Sequence, residues 1–271
     1  MMKSILSCPV CGKPLSVCER SYVCPSRHSY DIAKQGYVNL LLGHGAATHG
    51  DNALMISART RFLSGGYYAP LAQALAASVA KYAPKGCTLL DVGCGEGYYT
   101  EWMANAIKEI DGQIYAFDIS KEAVKATARR RIGATLFAAS AYEVPVVEES
   151  VDIAALLFSP FCREELLRVL RKGGILMIAY PGERHLWGLK QAVYDTPYLN
   201  QPEDTAIEGF SLLEEQTVSK EIHLQSNQAI TDLFSMTPYY YKTSEKDKAK
   251  LSSLSELSTE IEFHLCIYKK L

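Results

Sequence analysis

The sequence predicts an α/β protein: a doubly wound, mostly parallel sheet closed by an antiparallel strand pair, with a small metal-binding module at its N-terminus. Three observations carry this. Apolar strand runs alternate with helix-length segments from residue 87 to residue 180. A glycine-rich turn, Asp91-Val92-Gly93-Cys94-Gly95-Glu96-Gly97, joins the first of those strands to its helix. Cys8, Cys11, Cys24 and His28 fall within a segment too small to build a core of its own.

The elements follow in order. Short alternating stretches such as 21–24 suit small strands around the Cys/His cluster, and the run 43–50, rich in glycine, reads as a flexible connector. Asp51 is placed to cap a helix over 53–63 that stops at Gly65 and Gly66, and Pro70 starts a second helix through Tyr82. The repeating part then reads strand 87–92, helix 99–107, strand 113–119, helix 121–131, strand 135–138, strand 151–158, helix 163–171 and strand 175–180. In the tail, 217–224 and 260–269 alternate like strands and enclose helix-like 228–236 and 244–253. The domain division expected is 1–40 for the metal module, 41–60 for a linker and 61–271 for the α/β domain.

Composition supports one large domain with an appendage: 271 residues, 48% hydrophobic and 21% charged, can bury a full core. The longest apolar runs, 71–80 and 153–158, are too short to span a bilayer, and the first six residues lack a signal core. The expectation is a cytoplasmic protein without a membrane partner. The net charge of -2 hides an asymmetry, since residues 1–62 hold seven Lys/Arg against three acids and the remainder carries -6. Phosphate contacts are therefore sought at the basic N-terminal end.

In the glycine turn, missing side chains let a ligand approach the backbone, and the helix that follows presents free N–H groups. A dinucleotide fingerprint needs glycine at 98, where Tyr98 stands. The spacing from Asp91 through Gly93, Gly95, Glu96 and Gly97 instead resembles the first motif of class I S-adenosylmethionine methyltransferases. Asp118, ending the next strand, is placed to accept both ribose hydroxyls. Ser140, after the third strand, reads equally as an adenine contact or as a turn cap.

Cys8, Cys11, Cys24 and His28 offer three thiolates and an imidazole, a set that suits a closed, tetrahedral structural zinc site. Eight cysteines, four of them in the first two dozen residues, fit metal binding better than a disulfide framework. Cys18 opens an all-cysteine alternative; two compact half-sites favour His28.

The metal knuckle is followed by the run 31–41, Asp-Ile-Ala-Lys-Gln-Gly-Tyr-Val-Asn-Leu-Leu, and later by Gly-Cys-Gly-Glu-Gly-Tyr-Tyr-Thr at 93–100. With Ala58-Arg59-x-x-Phe62-Leu63, Lys172-Gly173-Gly174, Arg184-His185-Leu186 and Met236-Thr237-Pro238, the chain resembles, nearly end to end, the RlmA-type 23S ribosomal RNA guanine-N1 methyltransferases, which include macrolide-resistance members. The resemblance implies S-adenosylmethionine and Zn2+ as cofactors and a 23S rRNA hairpin as substrate held partly by the zinc module; whether the chain forms a homodimer is left open by the sequence. It also implies that Tyr68, Gly95, Glu96 and His185 contact the methyl donor.

Methyl transfer from a sulfonium to guanine N1 needs alignment and removal of the N1 proton. Phe158 is expected in the core. Beside it, Phe161 is a candidate to stack on a flipped base, and the Ser159 carbonyl a candidate to accept a hydrogen bond. Glu183 and His185 are the candidates for proton acceptor. Two other readings share the sequence: a methyltransferase of a small molecule, and a zinc-dependent RNA-binding protein that has lost activity.

Overall fold

The computed structural model describes residues 4–42 and 50–271. The connector expected at 43–50 lies, but for Gly50, outside the described residues. In the N-terminal module β1 (Ser16–Cys18), β2 (Ser21–Val23) and β3 (Ser29–Asp31) form an antiparallel three-stranded sheet. The next strand, β4 (Tyr37–Asn39), leaves that sheet. It pairs in parallel with β7 (Thr135–Ala138) and becomes one edge of the large sheet.

The large sheet follows the expected plan. Its centre is β5 (Thr88–Val92), flanked by β6 (Gln113–Asp118) and β8 (Val151–Leu157), with β7 beyond β6 and β9 (Leu170–Pro181) beyond β8. All of these pair in parallel, and β11 (Leu257–Lys270) then β10 (Phe210–Leu224) close the far side antiparallel. The chain runs outward from β5 through β6 to β7, then crosses back to β8. The carboxyl end of β5 is therefore the topological switch point, where open α/β sheets bind ligands.

Strand alternation divides the core in two. Leu89, Ile153, Met177, Phe263 and Leu265 face α2 (Ala69–Tyr82), α3 (Tyr98–Ile107) and α7 (Asn227–Ser235). Leu90, Ala154, Leu176 and Ile178 face α5 (Arg163–Val169). Helix α2 buries Leu71, Leu75 and Val79 at successive turns, each such side chain stabilising by about 1.5–3 kcal/mol. Leu6, Leu15, Cys8 and Cys24 of the N-terminal module join the second core with Phe117, Phe137 and Val146. Backbone bonds from Ser7 to Pro145 and from Val147 to Ile5 fasten the module to the α/β domain. Residues 4–40 thus share core and sheet with the domain they precede.

Two local readings change. Helix α1 (Ala53–Ser64) matches the helix expected over 53–63, running through the end of the stretch 41–60 read as a linker, but its cap is Asn52, not Asp51. The Asn52 Oδ1 accepts from the N–H groups of Leu54 and Met55 at 3.0 Å, whereas Asp51 pairs with Arg59 in the second turn of the helix. Phe158, expected in the core, is half exposed because its backbone turns into the left-handed region at φ 59° where β8 ends. The remaining helices are α4 (Lys121–Arg129), α6 (Trp187–Val193), α8 (Tyr239–Lys242) and α9 (Glu245–Ser252).

Candidate active site and metal centre

The glycine turn forms a bare backbone shelf at the carboxyl end of β5. Gly93 has φ 77°, and a Cβ there would overlap the Ser159 side chain, whose Oγ donates to the Val92 carbonyl at 2.5 Å. Gly95, at φ 56°, donates its N–H to Asp118 Oδ2 at 3.0 Å, and Ser120 N–H donates to Oδ1 at 2.8 Å. The carboxylate expected to hold a ribose is thus locked in orientation with a lone pair left on each oxygen. Burial pushes its pKa up, while these two N–H groups pull against the shift.

Asp91 and Glu96 are both buried at the shelf's margins. Asp91 is buried, accepts from the Thr100 hydroxyl at 2.6 Å, and has its pKa pushed by burial up to about 7. Its carboxyl ties the end of β5 to the first turn of α3. Glu96 is buried and paired through Oε2 with Arg130, which also bonds the Glu96 carbonyl and Glu101. Its Oε1 is buried with no hydrogen-bond partner among the described residues. Gly97 is the left-handed N-cap of α3, packed against Thr127.

Tyr68 and His185 meet, 117 residues apart in sequence. The Tyr68 oxygen lies 3.4 Å from His185 Nε2, and His185 Nδ1 accepts from the Glu262 N–H at 3.2 Å. Burial, helped by the nearby Lys190 charge, pulls the His185 pKa down to about 3. The imidazole is therefore neutral and carries its proton on Nε2, facing Tyr68. A histidine in that state, with both nitrogens engaged, does not suit the role of proton acceptor. Ser140 Oγ accepts from the Tyr142 N–H at 3.2 Å, so it serves at least as the turn cap.

Two exposed phenylalanines follow the end of β8. Phe158, 50% exposed, neighbours the rings of Tyr99 and Phe263; Phe161, 41% exposed, follows Pro160 in the next loop. Glu183 is exposed at the start of the loop that carries His185.

The four expected metal donors converge. The sulfurs of Cys8, Cys11 and Cys24 and Nδ1 of His28 lie within 4.8 Å of one another. Cys11 and Cys24 sulfurs are 3.7 Å apart, close to the edge of a tetrahedron with zinc–sulfur bonds of about 2.3 Å. His28 Nδ1 stands 3.4 Å from both Cys8 and Cys24 sulfurs. Two turns present the ligands: Gly12 N–H returns to the Cys8 carbonyl, and Arg27 N–H to that of Cys24. The Lys13 backbone N–H and the neighbouring His28 and cysteines pull the Cys11 pKa down to about 6, towards the thiolate that binds metal. The Tyr30 hydroxyl lies 3.1 Å from the Cys8 sulfur, in position to donate to a metal-bound thiolate. Cys18, exposed at the end of β1, lies outside the cluster. The donor set and its spacing fit zinc.

Sequence reasoning missed Arg59, Thr60 and Tyr99, which approach the shelf from α1 and α3. Nothing in their spacing announces this, because they come from helix turns that only the fold brings together.

Comparison with known proteins covers both modules. A family profile described as "RlmA, N-terminal" matches residues 6–42, and one described as "Methyltransferase domain" matches residues 83–247. A putative 23S rRNA (guanine-N(1)-)-methyltransferase of Micromonospora griseorubida is 35% identical over 201 residues, covering 67% of each chain. The 23S rRNA (guanine(748)-N(1))-methyltransferase of Streptomyces fradiae is 32% identical over 191 residues, 69% of this chain and 67% of that one. A putative 23S rRNA (guanine-N(1)-)-methyltransferase of Bacillus subtilis, YxjB, is 28% identical over 262 residues, 92% and 90% of the two chains.

Proposed function

The chain belongs to the family of 23S rRNA (guanine-N1)-methyltransferases, and from that premise we propose that it methylates N1 of one guanine in a 23S rRNA hairpin, gripping the RNA partly through its zinc module. The observation that carries this reading is the presence in one chain of the Cys8, Cys11, Cys24 and His28 cluster and the 93–97 shelf with Asp118 at the sheet's switch point.

S-adenosylmethionine, when bound, supplies the electrophilic methyl carbon. Asp118 orients the donor through its ribose, Gly93, Gly95 and Gly97 leave room for it, and Tyr68 offers its hydroxyl hydrogen while accepting from His185. Asp91 fixes the strand end through Thr100, and the pairing of Glu96 Oε2 with Arg130 fixes the start of α3. Ser140 lies where the adenine would sit, its turn-capping bond leaving its own hydrogen free to donate.

On the substrate side Phe161, with Phe158 beside it, offers an exposed aromatic face for a flipped base, and the Ser159 carbonyl an acceptor. With His185 engaged on both nitrogens, Glu183 is the group we assign to take the N1 proton or pass it to water. The zinc site is closed, so its metal holds the module's shape and takes no part in the transfer.

Among the described residues no helix is long and apolar enough to cross a membrane. The test is methylation of unmodified 23S rRNA by the purified zinc-loaded protein, followed by mass mapping. N1-methylguanine at one hairpin position is expected; methyl transfer only to small acceptors would move the reading to a metabolite methyltransferase.

A further inference from the structure

We propose that Arg59 is the receptor for the α-carboxylate of the methyl donor's amino-acid end, with the Tyr99 hydroxyl as a second donor and the Glu96 Oε1 atom as acceptor for the α-ammonium. This rests on the reading above that the 93–97 shelf holds S-adenosylmethionine.

Helix α1 lies across the shelf, and two successive residues reach down from it. Thr60 Oγ1 stands 3.5 Å from Glu96 Oε2, and Arg59 Nη1 lies 3.4 Å from the point where a Cβ at Gly95 would begin. Because residue 95 is glycine, the guanidinium sits over bare backbone rather than over a side chain. Arg59 is largely buried and pairs with Asp51, whose carbonyl is fixed by the Ser120 hydroxyl at 2.7 Å. Ser120 is also the residue whose N–H holds Asp118, so the Arg59–Asp51 pair is anchored to the ribose carboxylate's own support.

Two buried polar atoms nearby have no partner among the described residues: Glu96 Oε1 and the Tyr99 hydroxyl. A buried polar atom without a partner destabilises the fold unless a ligand satisfies it. The two are chemically complementary to an amino acid, since a carboxylate oxygen accepts from an ammonium and a phenol donates to a carboxylate. The Arg59 charge is felt at Tyr68, Tyr99 and Asp118, each of which burial drives towards its neutral form. A cation central to those groups, with a planar fork of donors, is suited to a carboxylate. Asp51 holds the fork in place before the ligand arrives, and the ligand's carboxylate replaces or shares that contact.

The consequence is a site that distinguishes ligands by their amino-acid end. Titration calorimetry of the full zinc-loaded chain should compare S-adenosylhomocysteine with 5′-methylthioadenosine, which lacks that end. The wild type should bind the first more tightly. Arg59→Met should weaken S-adenosylhomocysteine by about 10- to 100-fold while changing methylthioadenosine by less than about twofold, and Arg59→Lys should recover part of the loss. The unchanged methylthioadenosine affinity doubles as proof that the variant is folded. Equal losses for both ligands, or no loss for either, would overturn the assignment. A wild type that binds neither ligand would remove the cofactor reading itself, and that outcome is distinct because it needs no variant.

Discussion

His185 Nε2 and the Tyr68 hydroxyl are joined at 3.4 Å, and the direction of that bond is set from behind by the Glu262 N–H on Nδ1. The histidine must donate, so the phenol's own hydrogen is free to point into the cofactor site. Tyr68→Phe is therefore expected to weaken S-adenosylhomocysteine binding by about fivefold, the effect of one hydrogen bond, and to lower the melting temperature, because the buried His185 Nε2–H loses its acceptor. Unchanged affinity by calorimetry would show that the hydroxyl serves only the core.

The same neutral histidine predicts a pH effect on stability. Its folded pKa, about 3, lies below the unfolded value of about 6.5, so between these limits the unfolded chain binds the extra proton. This stability is present above about pH 6.5 and is lost as pH falls towards 3, with a slope up to about 1.4 kcal/mol per pH unit. Asp91, raised to about 7, acts in the opposite sense, destabilising the fold as pH rises from about 4 to 7. The difference between wild type and His185→Asn isolates the first effect. Urea melts from pH 4 to 7 should show a shallower rise in the variant, and parallel curves would contradict the buried neutral state.

The metal site gives a third expectation. Cys18→Ser should retain one zinc per chain by elemental analysis, while Cys24→Ser should lose it and melt lower, because zinc is the main constraint on the two knuckle turns. Since Leu6, Leu15 and β4 tie this module into the main core and sheet, the loss should destabilise the whole chain. Loss of zinc from the Cys18 variant would restore the all-cysteine alternative.

This coupling separates what the sequence makes legible from what it hides. Strand 135–138 and the boundaries of β5, β6 and β8 were readable to within a residue or so, because buried parallel strands are continuous apolar runs between helices. The first seven residues of β10 were not, since an edge strand with residues such as Leu212, Leu213 and Glu215 exposed has no clean alternation to read. Helices α6 and α8 span only 7 and 4 residues, too short to show a period. The metal donors were legible because their spacing is local. Arg59, Thr60 and Tyr99 were not, because only tertiary packing brings α1 and α3 to the shelf.

Phe158 supplies a fourth test. A phenylalanine at φ 59° carries a backbone cost of about 1 kcal/mol or more that glycine would not. Phe158→Gly should thus melt within about 3 °C of wild type while methylating RNA at least about tenfold more slowly, as the ring is lost from the substrate edge. A variant that is equally active would return Phe158 to a packing role beside Tyr99 and Phe263.

For the RNA grip, deleting residues 1–40 would remove β4 and part of the core, so charge substitution is the cleaner probe. Arg20 and Lys34 are exposed on the module. Replacing both with alanine should lower the slope of log affinity against log salt by about 1.4 if each contacts one phosphate of unpaired RNA. An unchanged slope would place the contacts elsewhere, with Lys121, Arg129 and Arg131 on and after α4 the next to test.

The most direct measurement remains the product. 23S rRNA from cells with and without this gene, digested and mapped by mass, should differ by one N1-methylguanine, restored by the wild-type gene and not by a variant lacking Asp118. Identical N1-methylguanine content in both strains would contradict the account.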